Sequence, residues 1–268
     1  QVDKPTRVIK ATFFDVSAPL GEIEQIPPGI RKREWKNKVV ENKLDVSEYI
    51  QLYKYYTESD RVVQNFKGTL SPEPTILQNF DGGMNLSGIA PPDTDGDVGP
   101  DHYFQMINLS FAIFDKQGNK LYGPVDNSTL WQGFIGPWTS TNDGDPIVLY
   151  VEVADRWMAS QFAINTNNGT FWELIAISET GDPLGAWYQY AFEFPDFNDY
   201  PHFGIWHDAY YATFNMFGDS YRGAVAAFDR LGAMTRRTDN VPQPFDADRD
   251  GLVMGEGAAV IVMERESH

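Results

Sequence analysis

The sequence predicts an all-β protein: a propeller-like array of antiparallel blades, about three and incomplete, preceded by an irregular or partly helical N-terminal segment. Three observations carry this reading. From about residue 90 the chain breaks into short runs rich in Phe, Tyr, Trp, Val and Ile, separated by Gly, Pro, Asn and Asp, the pattern of strands joined by tight turns. An Asp followed by an aromatic-led strand recurs at Asp101, Asp155 and Asp208, at intervals of 54 and 53 residues. No long amphipathic helix interrupts these runs.

Taken in order, residues 1–80 read as an N-terminal extension. Gln1 in place of Met suggests a processed or trimmed terminus. The run from Arg31 to Lys38 follows Pro27-Pro28-Gly29 and mixes Lys and Arg with Glu34, so it reads as a solvated connector or short helix. Tyr49, Leu52, Tyr53 and Tyr56 recur at helical spacing after a capping residue at Asp45 or Ser47, which predicts a helix between Val46 and Val63. Leu70-Ser71-Pro72-Glu73-Pro74 and Asp81-Gly82-Gly83 then punctuate a linker.

Residues 81–230 form the predicted β domain. Strands are expected within Tyr103 to Phe114, Ile147 to Val153, Arg156 to Ala163, Phe171 to Ser178, Trp187 to Phe194 and Ala209 to Asn215. Each recurring unit opens on a Gly, Asp or Pro cluster: Asp97-Val98-Gly99-Pro100, Asp143-Gly144-Asp145-Pro146 and Asn198-Asp199-Tyr200-Pro201. A period near fifty residues with several strands per unit is the signature of blades that cover one another's faces. A β-sandwich with coincidental spacing is the alternative. Residues 231–268 form a tail of different character.

Charge narrows the partners. Lys and Arg number 21 against 38 Asp and Glu, a formal charge of −17 and a pI near 4.5. Residues 63–268 hold 10 basic against 28 acidic residues. Such a surface repels nucleic acid and anionic membranes and leaves cations and neutral carbohydrate open. No apolar run is long enough to span a bilayer, so no membrane insertion is expected. The chain has no Cys, which removes disulfides and thiolate chemistry.

Several constellations could carry chemistry. Asp93, Asp95 and Asp97 alternate on a Gly-containing turn near Asp101, a spacing that can aim several hard oxygens at one Ca²⁺, or else cap the turn through side-chain to backbone bonds. Asp246, Asp248, Asp250 and Gly251 begin like a calcium-binding loop, but its twelfth position is Gly257, with Glu256 one place early. Asp97, Asp145 and Asp199 stand at the predicted blade openings, where two converging carboxylates could act as acid and base across a glycosidic bond. Trp138, Trp187 and Trp206 could stack on sugar rings. His202 and His207, five residues apart, would face opposite sides of a strand and share a zinc only across a bend.

From Pro91 through Asp101-His102-Tyr103 to Phe114, and again at Asn142 to Pro146, Asp155-Arg156-Trp157, Phe197 to Pro201 and Asn215-Met216-Phe217, the chain resembles a family of exported bacterial proteins of largely uncharacterised function. The resemblance implies a secreted or cell-surface, propeller-like protein. From about 227 to 268, through Pro244-Phe245-Asp246-Ala247-Asp248-Arg249-Asp250-Gly251 and Gly255-Glu256-Gly257, it resembles an internal piece of a β-ketoacyl synthase, which implies a fusion near residue 230. Such synthases need a cysteine nucleophile and paired histidines, so condensing activity is not expected. The function expected is binding of polysaccharide or an extracellular surface with structural calcium. Glycoside hydrolysis is the alternative, and a homo-oligomer is one way to cover an incomplete blade set.

Overall fold

The computed structural model describes residues 11–30, 76–206, 209–218 and 222–229. The helix expected between Val46 and Val63, His207, Asp208 and the tail from 231 lie outside the described residues. Among those described, the chain is built of strands with two short 3-10 turns and no α-helix.

Twelve strands are described: β1 (Phe13–Val16), β2 (Asp95–Val98), β3 (His102–Ile107), β4 (Ser110–Asp115), β5 (Lys120–Asp126), β6 (Gly144–Val151), β7 (Arg156–Asn165), β8 (Thr170–Ser178), β9 (Trp187–Phe194), β10 (Phe197–Ile205), β11 (Ala209–Phe217) and β12 (Arg222–Asp229). They form three antiparallel sheets in the orders β2-β3-β4-β5, β1-β9-β8-β7-β6 and β10-β11-β12. Apart from β1, each sheet is a meander of consecutive strands. Among the described residues no sheet closes on itself.

The turns follow from local chemistry. Between β2 and β3, Gly99 N donates to His102 O at 2.9 Å. Between β4 and β5 the Asp115 carboxylate accepts from the amides of Gln117 and Asn119 at 2.9 and 2.8 Å, and Gly118 takes φ +86°, a conformation that a side chain would strain. The sequence repeat is thereby explained. Asp101 and Asp155 sit in the hairpin turns that lead into β3 and β7, and Ala209 opens β11 in the third unit.

The second sheet lies between the other two. One of its faces puts Trp157, Trp172, Leu174 and Trp187 into a core with Phe104, Met106 and Phe111 of the first sheet, where the Phe104 ring lies 5.9 Å from Trp157 and 6.1 Å from Trp187. Its other face meets the third sheet through Phe162 on Phe197 at 5.1 Å and Phe194 on Phe214 at 5.0 Å. Alternation along each strand supplies both faces. The opening strands β2, β6 and β10 neighbour one another in that order.

Residues 13–26, expected in the extension, take part in this architecture. β1 adds to the outer edge of β9, Leu20 is fully buried in the core, and Ile26 O accepts from Asp126 N at 2.7 Å at the end of β5. The segment therefore ties the outer strand of the second sheet to the outer strand of the first.

Candidate functional site

β6 is an edge strand, so the amides of Val148 and Tyr150 on its free side need acceptors. Asp95 and Asp97, two apart on β2 and so on one side of it, supply them. Asp95 Oδ2 accepts from Val148 N at 2.7 Å and Asp97 Oδ2 from Tyr150 N at 2.8 Å. Asp93 accepts instead from the Asn108 amide, whose Oδ1 in turn accepts from Asp145 N at 2.8 Å. Asp101 lies on a shallow cleft of about 380 Å³ with His102, Asp155 and Asp182. Three of the four aspartates expected to share a calcium are thus engaged by separate donors while Asp101 lines the cleft, and among the described residues no group of three or more His, Asp or Glu is placed to hold a metal ion. Burial pushes the Asp95 carboxyl above its ordinary range against the pull of the Val148 and Gly96 amides; Asp97 adds to the rise and His202, across from β10, opposes it.

The acid pair expected at the blade openings is out of register. Val98 pairs with Tyr103, Tyr150 with Trp157 and Ile205 with Tyr210. Counted back from those equivalent pairs, Asp145 corresponds to Asp93 and Tyr200, and these three share a left-handed backbone with φ of 46°, 40° and 51°. Asp97 falls level with Leu149 and Gly204, further along its strand, and Asp199 precedes the equivalent Tyr200. The structure therefore does not bring Asp97, Asp145 and Asp199 to matching positions.

An acid that the sequence reading passed over lies beside Asp145. Glu173, on β8 between Phe162 of β7 and Phe192 of β9 in register, is fully buried. Burial holds its carboxyl well above the ordinary carboxylate range, the Asp145 charge raises it further, and the Ser160 hydroxyl and Asn198 amide oppose the rise. Its signal in the sequence was a lone Glu inside the apolar run Phe171 to Ile177, a residue type rarely buried without a partner.

The three tryptophans have different fates. Trp138 is 2% exposed, packed edge-on to Phe13 at 5.1 Å and Trp172 at 5.3 Å, with Nε1 donating to Phe134 O at 2.9 Å. Trp187 is fully buried, with Nε1 donating to Pro183 O at 3.0 Å. Neither offers a ring face to a sugar, because both faces are used in packing the first two sheets. Trp206, just past β10, is 42% exposed. On the same strand Tyr200 is 51% exposed and His202 is exposed, their rings 4.4 Å apart edge to face. Phe203 turns the other way, onto Phe214. The zinc expected between His202 and His207 involves a residue outside those described.

Comparison with known proteins finds a relationship at one end. Residues 220–268 match the family model "Beta-ketoacyl synthase, N-terminal domain". Over 49 residues the chain is 47% identical to the mitochondrial 3-oxoacyl-[acyl-carrier-protein] synthase of Arabidopsis thaliana, covering 17% of this chain and 11% of that protein. Over 51 residues it is 41% identical to 3-oxoacyl-[acyl-carrier-protein] synthase 2 of Rhizobium meliloti (strain 1021), covering 18% and 12%. The chain therefore spans about a tenth of the length of these relatives. No solved structure matches. The match starts before β12, so the outer described strand of the third sheet lies within the synthase-like residues, and the similarity begins near 220, earlier than the 227 expected.

Proposed function

We propose that the protein is an exported, propeller-like binding protein whose ligand is a neutral carbohydrate, taken on the exposed side of β10. Three meanders stacked face to face, with their opening strands adjoining, support the propeller reading, since blades need neighbours on both faces. The observation that carries the functional reading is the pair of exposed rings of Tyr200 and His202 on β10, 4.4 Å apart, with Trp206 exposed just past the strand's end: rings with polar edges, suited to the apolar faces and hydroxyl rims of sugars. The acidic surface favours a neutral over an anionic glycan.

Hydrolysis has less support. A glycosidase needs two carboxyl groups that reach the scissile bond, whereas Glu173 is sealed from solvent and Asp97 is engaged by the Tyr150 amide. Of the carboxylates expected to hold calcium, Asp93, Asp95 and Asp97 accept from side-chain and backbone amides, so the proposal rests on the exposed rings of β10 and not on a calcium. Titration of the protein with soluble neutral oligosaccharides, followed by tryptophan emission and by reducing-end release, tests the reading. A saturable emission change that Trp206→Ala abolishes, with no new reducing ends, is expected. Sugar release, or an unchanged response in the variant, overturns it.

A further inference from the structure

Glu173 and Asn198 meet at the boundary between the second and third sheets, one from β8 and one from β10, and both are fully buried. Asn198 Nδ2 donates to Glu173 Oε2 at 2.9 Å. Two oxygens are left over. Glu173 Oε1 and Asn198 Oδ1 are buried without a well-formed hydrogen bond. Both are acceptors when Glu173 is ionised, so neither can satisfy the other. A single proton on the carboxyl changes this, because a carboxylic acid and a primary amide are complementary, each giving one donor and one acceptor.

We propose that Glu173 and Asn198 form a proton-closed acid–amide clasp that fastens the third sheet to the second. The bond formed is Oε1–H to Oδ1 of Asn198, parallel to the existing Nδ2–H to Oε2; the proton comes from solvent and no other bond breaks. The surroundings favour the neutral acid. Phe162 and Phe192 flank Glu173 on its own sheet, the charged neighbour is Asp145 of β6, which repels a second carboxylate, and the Ser160 hydroxyl of β7 gives an ionised form only partial support. From β10 the facing group is the uncharged Asn198. Loss of the proton leaves a buried charge and an unmatched amide oxygen, a costly combination in a dry interface.

The clasp does not depend on what the protein binds. If the third sheet opens by exposing Glu173, its opening equilibrium rises up to about tenfold per pH unit between the ordinary carboxylate range and the carboxyl's value in the fold. The experiment is amide hydrogen exchange of β10 and β11, corrected for the intrinsic rate, from mildly acidic to mildly alkaline buffer, on the wild-type chain and on Glu173→Gln. Glutamine keeps the shape and offers both a donor and an acceptor at every pH. The expected result is protection that falls with pH in the wild type and stays level in Glu173→Gln. Equal pH dependence in the two proteins overturns the clasp. Should the variant not fold, the infrared carbonyl band of a protonated carboxyl decides, measured in Asp95→Asn so that Asp95, whose carboxyl is also raised, does not contribute: a band that persists above the ordinary carboxylate range supports the clasp, and its absence there overturns it.

Discussion

Trp187 and Trp206 show how completely position decides what a side chain does. Trp187 fills the space between the first two sheets and spends its indole N–H on Pro183 O. Its replacement by Ala is expected to cost about 3–5 kcal/mol, through lost burial and the cavity left behind; the midpoint of chemical unfolding measures it. Trp206, just past the end of β10, is 42% exposed, and Trp206→Ala is expected to cost less than Trp187→Ala in that midpoint while removing carbohydrate binding. Asp95 is a third case. Replacing it with Ala leaves the Val148 amide without its acceptor, and because the site is partly solvated the cost falls near the lower end of about 1–3 kcal/mol. The sequence gives the residue types for all three but not their roles. A Trp in a turn and a Trp in a core have the same local signature, and an Asp that satisfies a neighbouring sheet's edge looks the same as an Asp that waits for a cation.

At the scale of elements, the predicted runs Arg156 to Ala163, Phe171 to Ser178 and Trp187 to Phe194 coincide closely with β7, β8 and β9, because alternation between two buried faces writes itself into consecutive residues. β1 was not legible. Its four residues, Phe-Phe-Asp-Val, are exposed, and their pairing with β9 depends on a partner more than 170 positions along the chain. Of the opening strands only β6 was predicted, as Ile147 to Val153; β2 and β10 were read as turn clusters. β6 and β10 carry the same irregularity in pairing, between Gly144 and Ile147 and between Asp199 and His202, so they stay aligned with Asp145 opposite Tyr200, and matching the acids by their place in the clusters set Asp199 one residue early. The N-terminal tie carries a prediction of its own. Leu20→Ala, made in the middle of that tie, is expected to destabilise the protein by about 2–5 kcal/mol and to increase proteolysis between β1 and Ile26. A thermal melt with limited digestion reads both, and a neutral substitution would mean the segment only rests on the surface.

For the whole molecule, charge and pH act together. Glu173 and Asp95 both hold their protons above the ordinary carboxylate range. In the window between the unfolded and folded values the native state binds more protons than the unfolded chain, so stability falls as pH rises through it. The formal charge of −17 adds self-repulsion in the same direction. Melting temperature is therefore expected to decline from mildly acidic toward alkaline pH, less steeply in Glu173→Gln, and added salt is expected to recover the self-repulsion part but not the Glu173 part. Among the described residues the synthase-like segment contributes β12. The chain contains no Cys, and no acyl condensation is predicted from a segment that spans about a tenth of its relatives. The central claim is that this fold binds a neutral glycan through β10 without cleaving it. Co-sedimentation of the wild-type chain and Trp206→Ala with insoluble neutral polysaccharides, with reducing ends measured in the same supernatants, tests it most directly. The account predicts wild-type protein in the pellet, the variant in solution and no new reducing ends; the absence of binding across the panel, equal binding by the variant, or release of sugar would contradict it.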